Sequence, residues 1–150
     1  LVVACAALMT AHARPVMIYN PSESVPSGFY LRSGEAPDRG DFVTVAALEV
    51  APEYATLRGY ADHSDRFLKR VAATDGQLVC AEGETISIDG SDVATRTERD
   101  AEGRTLPRWD GCRRLRAGEL FLLGDTDDSF DGRYWGPVTM NLIEGVWIPI

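Results

Sequence analysis

Turn-forming residues interrupt this chain every eight to twelve residues, and the stretches between them are short and rich in branched and aromatic side chains. That spacing leaves little room for helices of ordinary length and favours many short strands. Met17-Ile18-Tyr19-Asn20 runs into the turn-rich Pro21-Ser22-Glu23-Ser24-Val25-Pro26-Ser27-Gly28. Phe29-Tyr30-Leu31-Arg32 reads as the next strand, and Phe42-Val43-Thr44-Val45-Ala46 follows the turn at Pro37-Asp38-Arg39-Gly40-Asp41. Phe67–Ala73, Gln77–Ala81, Thr85–Ile88, Glu119–Leu123 and Ile143–Ile150 have the same character. Asp89-Gly90 is a favoured two-residue hairpin turn. One short helix is expected over Ala51–Arg58, with Pro52 in its first turn and Gly59 past its end. The sum predicts a mainly β domain, barrel-like or of complex β topology.

With 150 residues the chain is long enough for one domain with a real core. Its net charge of -8 argues against a nucleic-acid partner, which selects a basic face. The segment Leu1–Ala13 is apolar and too short to span a bilayer, which takes about 20 residues. It reads as the end of a membrane anchor, as a signal h-region with Ala11-His12-Ala13 as a cleavage site, or as a buried N-terminal helix. Residues 1–16 are therefore set apart from a folded domain over 17–150. Within that domain, about 81–112 forms a polar, arginine-rich insertion, and Val93–Arg116 reads as an extended hairpin or loop ending at Cys112. Its arginines suit lipid headgroups, an acidic substrate or a plain solvated face.

Three cysteines are present. Cys5 lies in the apolar start. Cys80 and Cys112 flank the insertion and are either a disulfide closing it, worth roughly 3–4 kcal/mol by loop closure, or two buried thiols. No C-x-x-C occurs and His12 and His63 are the only histidines, so neither a metal nor another cofactor is expected.

The absence of a histidine in a catalytic motif directs attention to another base. Lys69 is the only lysine of the chain, and it sits in the apolar run Arg66-Phe67-Leu68-Lys69-Arg70-Val71. Arginine keeps its proton in a protein, whereas a desolvated lysine can lose it. A lysine starts near pKa ~10.4 and has to fall by roughly 2–3 to serve as a base at neutral pH, which takes about 3–4 kcal/mol of unfavourable surroundings for the ammonium. Phe67, Leu68 and Val71 can supply that by excluding water. The alternative is a lysine holding a charge at a strand end. A Ser-Lys pair further needs an exposed serine on a stiff turn. Ser24 fits, with Pro26 after it and Gly28 allowing a peptide to approach. The alternative roles are an ordinary turn serine for Ser24 and a local hydrogen-bond former for Ser22.

Three segments, in this order, resemble the signal peptidase family of Ser-Lys membrane proteases, and within it the TraF-type conjugative-transfer branch. They are Asn20-Pro21-Ser22-Glu23-Ser24-Val25-Pro26-Ser27-Gly28-Phe29-Tyr30, then Arg58-Gly59-Tyr60 with Leu68-Lys69-Arg70-Val71, then Gly124-Asp125 through Ser129-Phe130-Asp131-Gly132-Arg133-Tyr134-Trp135-Gly136. The Cys80/Cys112 pair and Gly103-Arg104-Thr105-Leu106-Pro107 are similar to the same branch. The resemblance implies a signal-peptidase-like (LexA-like) β fold with an N-terminal hydrophobic anchor in the inner membrane and its catalytic domain on the periplasmic side. It implies Ser24 as nucleophile, Lys69 as general base, and Ser22 with the Ser24 amide as oxyanion donors. Ser129 and Asp131 are implied to orient the lysine and buttress the site, although an Asp131 touching Lys69 would raise its pKa, and a pairing with Arg133 is the other reading. The implied partner is a protein substrate with an exported or pilin-like tail, processed by hydrolysis or by head-to-tail cyclisation. Two positions depart from the family pattern: Gly132 stands where serine is usual, and Thr126 where many members have asparagine. Two other readings stand beside this one. One is a catalytically inactive periplasmic scaffold or binding module, which predicts Ser24 far from Lys69 or Lys69 exposed. The other is a LexA-like self-cleaving domain, against which the apolar start and the cysteine pair argue.

Overall fold

The computed structural model describes residues 14–60 and 65–150. The expectations for Leu1–Ala13, including Cys5 and the cleavage site, and for His63 lie outside the described residues. The architecture is mainly β, as the turn spacing predicts.

Among the described residues eleven strands form in chain order: β1 Met17–Asn20, β2 Gly28–Ser33, β3 Phe42–Ala46, β4 Arg66–Ala73, β5 Leu78–Glu82, β6 Thr85–Ile88, β7 Ser91–Thr95, β8 Gly111–Arg114, β9 Glu119–Leu123, β10 Val138–Thr139 and β11 Ile143–Pro149. Three short helices interrupt them: α1 Ala47–Val50, α2 Pro52–Leu57 and α3 Gly132–Trp135. Pro52 opens α2 at a position where its missing N–H is harmless, and Gly59 at φ 77 turns the chain away after it. The Asp89-Gly90 turn has φ of 50 and 83, the paired positive values of a tight hairpin turn.

The strands assemble into two antiparallel sheets. One has the order β1-β2-β11-β3-β4-β9-β10 and the other β7-β6-β5-β8. β3 and β9 are buried along nearly their whole length, because both of their faces are covered. Phe121 and Leu123 of β9 pack with Val79, Ile86 and Leu115 where the sheets meet. Leu120 and Leu122 turn the other way, onto Val43, Val71 and Val146. A third cluster, Val25, Tyr30, Phe42, Leu68 and Trp147, fixes the β1–β2 loop against the large sheet.

The arginine-rich insertion contributes the small sheet. Cys80 of β5 and Cys112 of β8 stand opposite each other in the register, and their sulfurs are joined at 2.05 Å. Among the described residues no helix is long and apolar enough to cross a membrane.

Candidate active site

Three segments distant in sequence meet in a cleft of about 1180 Å³. The first is the loop between β1 and β2. Asn20 shapes it: its Nδ2 donates to the carbonyls of Ser22 at 2.9 Å, Val25 at 3.3 Å and Pro26 at 3.1 Å, and its Oδ1 accepts from the Ser22 amide at 3.1 Å. Buried Tyr30 donates its hydroxyl to the Pro26 carbonyl at 2.5 Å. The loop is thus held by side chains rather than by a ladder, and it presents Ser24 to the cleft.

The second segment is β4, which carries Lys69 opposite Val43. Lys69 is 4% exposed. Its Nζ lies 3.0 Å from Ser24 Oγ and donates to Ser129 Oγ at 2.9 Å. Burial pushes its pKa down to about 8. Asp131 opposes that fall, Arg133 reinforces it, and Asp128 and Asp125 oppose it. Burial prevails because the closest strong carboxylate is already neutralised by its own partner.

That partner is Arg133. The third segment, between β9 and α3, folds back around its guanidinium. Nε donates to Asp131 Oδ1 at 2.9 Å and one terminal nitrogen to Oδ2 at 3.1 Å, with both side chains fully buried. The remaining donors reach the carbonyls of Thr126 at 3.1 Å, Asp127 at 2.7 Å and Thr95 at 3.0 Å. Asp131 also caps α3 and accepts the Gly124 amide at 2.6 Å. Asp131 thus bonds to Arg133 and Gly124, and Ser129 is the group that reaches the lysine. Both departures from the family pattern have a local reason. A side chain at Gly132 would put its Cβ 2.5 Å from the Leu122 carbonyl, so serine does not fit where α3 backs onto β9. Thr126 serves Arg133 through its carbonyl, which any residue supplies.

Ser22 completes the site. Its hydroxyl donates to Ser24 Oγ at 3.1 Å and accepts the Ser24 amide at 3.2 Å, so both groups lie beside Ser24 Oγ. The Ser24 carbonyl accepts the Asp125 amide at 2.5 Å, and Asp125 in turn takes both ends of the Arg70 guanidinium at 2.8 and 2.6 Å. All six polar residues singled out from the sequence therefore lie in one connected network, with Ser22, Ser24, Lys69 and Ser129 at the cleft and Asp131–Arg133 behind it. Sequence reasoning assigned no role to Asn20, Tyr30 or Gly124. Asn20-Pro21-Ser22 does carry the signature of an Asx turn, whereas the demands on Tyr30 and Gly124 arise only from the folded contacts. Among the described residues no group of three or more acidic, histidine or cysteine side chains is placed to hold a metal.

Known proteins resemble this chain along most of its length. Two plasmid transfer proteins TraF of Escherichia coli are 31% identical over 143 residues and 28% identical over 142, each alignment covering 87% of this chain and 80% of the relative. A crystal structure of a signal peptidase I from Enterococcus faecalis superposes with a TM-score of 0.44 at 21% identity, over 76% of this chain and 98% of that one. The profile of the family described as signal peptidase, peptidase S26, matches residues 1–149, and the chain belongs to that family.

Proposed function

We propose that this protein is a membrane-anchored serine endopeptidase of signal-peptidase type that processes an exported precursor through Ser24 and Lys69. The observation that carries the reading is a buried amine of lowered pKa 3.0 Å from a serine hydroxyl at the edge of a cleft. A non-catalytic scaffold has no use for that arrangement, which keeps an amine in surroundings hostile to its charge.

In the mechanism, neutral Lys69 accepts the proton of Ser24 Oγ as that oxygen attacks a peptide carbonyl. Ser129 holds one Nζ hydrogen, which aims the lone pair of the amine at Ser24. Negative charge developing on the carbonyl oxygen is met by the Ser24 amide and the Ser22 hydroxyl, which leave their bonds to Ser22 Oγ and Ser24 Oγ and turn to the oxyanion. Collapse of the tetrahedral intermediate breaks the C–N bond, and the Lys69 ammonium gives its proton to the leaving amine. Water, or a second amine, then attacks the acyl-enzyme. Water gives hydrolysis; the amino terminus of the same substrate gives a cyclic product.

The relatives, plasmid transfer proteins by name, support a role in conjugation; on this reading the substrate is a pilin precursor and the catalytic domain faces the periplasm from the inner membrane. The test is intact-mass analysis of the detergent-solubilised protein with a serine-directed peptidyl acylating probe. A single adduct is expected on the wild type and none on Ser24→Ala or Lys69→Ala. An adduct that forms equally on Lys69→Ala rules the dyad out.

A further inference from the structure

The catalytic cleft also contains Arg58, at the end of α2, in an unusual setting. One terminal nitrogen donates to Tyr54 Oη at 3.1 Å and the other to Tyr60 Oη at 3.4 Å. The guanidinium carbon lies 5.6 Å from the Tyr54 ring centre and 5.3 Å from that of Tyr60. Two aromatic rings and two phenol oxygens thus fix its orientation. Tyr54 is itself anchored, buried in the core and donating to Asp100 at 2.9 Å.

Neither phenol is a charge. Among the described residues no carboxylate lies within ion-pair distance of Arg58. Two other arginines of the same cleft are differently placed. Arg66 is paired with Glu144. Arg32 donates to the carbonyls of Pro15 and Glu144 and lies over Trp147. Arg58 uses two of the five N–H donors of a guanidinium on the tyrosines, and the others remain for a ligand. Asp100 acts on Arg58 only at longer range, behind the Tyr54 hydroxyl. A planar fork held in place, with donors to spare and no carboxylate paired to it among the described residues, matches a carboxylate.

We propose that Arg58 is a substrate-binding residue that holds a carboxylate of the peptide, either an acidic side chain or the C-terminal carboxylate, while Ser24 attacks. This rests on the peptidase reading above and adds to it a charge that the substrate must carry.

Three synthetic peptide libraries of equal length separate the possibilities. The first contains Glu and ends in an amide, the second lacks acidic residues and ends in a free carboxylate, and the third has neither. Cleavage is followed by mass spectrometry for wild type, Arg58→Ala, Arg58→Lys and, as background, Ser24→Ala. The wild type is expected to cleave the first or the second library with a kcat/KM about tenfold above the third, the gain lying in KM, and which of the two it favours identifies the source of the carboxylate. Arg58→Ala abolishes the ratio between the favoured library and the third, and Arg58→Lys restores part of it. Equal cleavage of all three libraries, or a preference that survives Arg58→Ala, overturns the assignment. Absence of cleavage by the wild type overturns the peptidase reading, and the carboxylate anchor with it.

Discussion

Gly124→Ala is a one-methyl test of how the site is held. Gly124 has no positive φ, so alanine meets no backbone penalty there and the effect is one of space alone. Its Cβ would lie 2.0 Å from Ser129 Oγ, 2.6 Å from Ser129 Cβ and 2.9 Å from the Ser24 carbonyl oxygen. Ordinary contact begins at 3.4 Å, so Ser129 Oγ has to retreat by about 1.4 Å. Rotating the Ser129 hydroxyl does not suffice, because its Cβ is also too close, and the loop itself must move. The 2.9 Å bond to Lys69 Nζ is then broken, and the Ser24 carbonyl is pushed from the other side. A misplacement of about 1 Å in a reacting constellation lowers rates on the order of 100-fold. Overpacking of this kind costs about 1–3 kcal/mol of stability, or a fall in Tm of roughly 2–12 °C at this chain length. The assay is the rate of acylation of Ser24 by the peptidyl probe, read by intact mass, with a thermal melt alongside. Gly124→Ala, Ser129→Ala and the double variant form a cycle. Removing Ser129 Oγ relieves the worst clash, so the double variant should be more stable than the sum of the single effects predicts. An acylation rate within threefold of wild type, with an unchanged melt, would refute the idea that Gly124 is bare in order to seat Ser129.

Asp131→Asn leaves the buried Arg133 charge without its counter-ion, and about 3–5 kcal/mol of stability should be lost in denaturant titration; a loss below 1 kcal/mol would mean that the carbonyls around Arg133 suffice. Lys69→Met acts in the opposite direction. The folded-state pKa of about 8 lies below the value for an unfolded lysine, so the folded protein binds fewer protons and wild-type stability rises with pH between about 8 and 10.5. The Met variant should therefore be more stable than wild type by roughly 3 kcal/mol at pH 7, and by less than half of that at pH 9.5; an equal difference at both values would contradict the depressed pKa. Loss of the Cys80–Cys112 bridge by paired serine substitution should destabilise by about 3–4 kcal/mol through the freed loop, checked by calorimetry under non-reducing conditions.

The strands were largely legible because their side chains alternate or run apolar between unmistakable turns, as at Thr85–Ile88 followed by Asp89-Gly90. Lys69 was legible for a different reason, as a lone amine in an apolar run. α3 was not: Gly-Arg-Tyr-Trp is a single turn whose glycine is required by the Leu122 carbonyl behind it, a contact between distant parts of the chain. The wrapping of residues 126–131 around Arg133 was hidden likewise, since its acceptors are backbone carbonyls at Thr95, Thr126 and Asp127, and carbonyls carry no sequence signature. Thr85–Ile88 was legible as a strand, but not that its buried Ile86 and Ile88 join Val79 and Phe121 in the core of the second sheet, because those contacts are made between distant parts of the chain.

The central claim is that a neutral Lys69 activates Ser24, and the pH dependence of Ser24 acylation addresses it most directly. With the wild type, the rate measured from pH 5.5 to 10 should rise in proportion to the neutral amine and level off above an inflection near the Lys69 pKa of about 8. A rate that is flat across this range, or a rising profile that persists in Lys69→Ala, would contradict it.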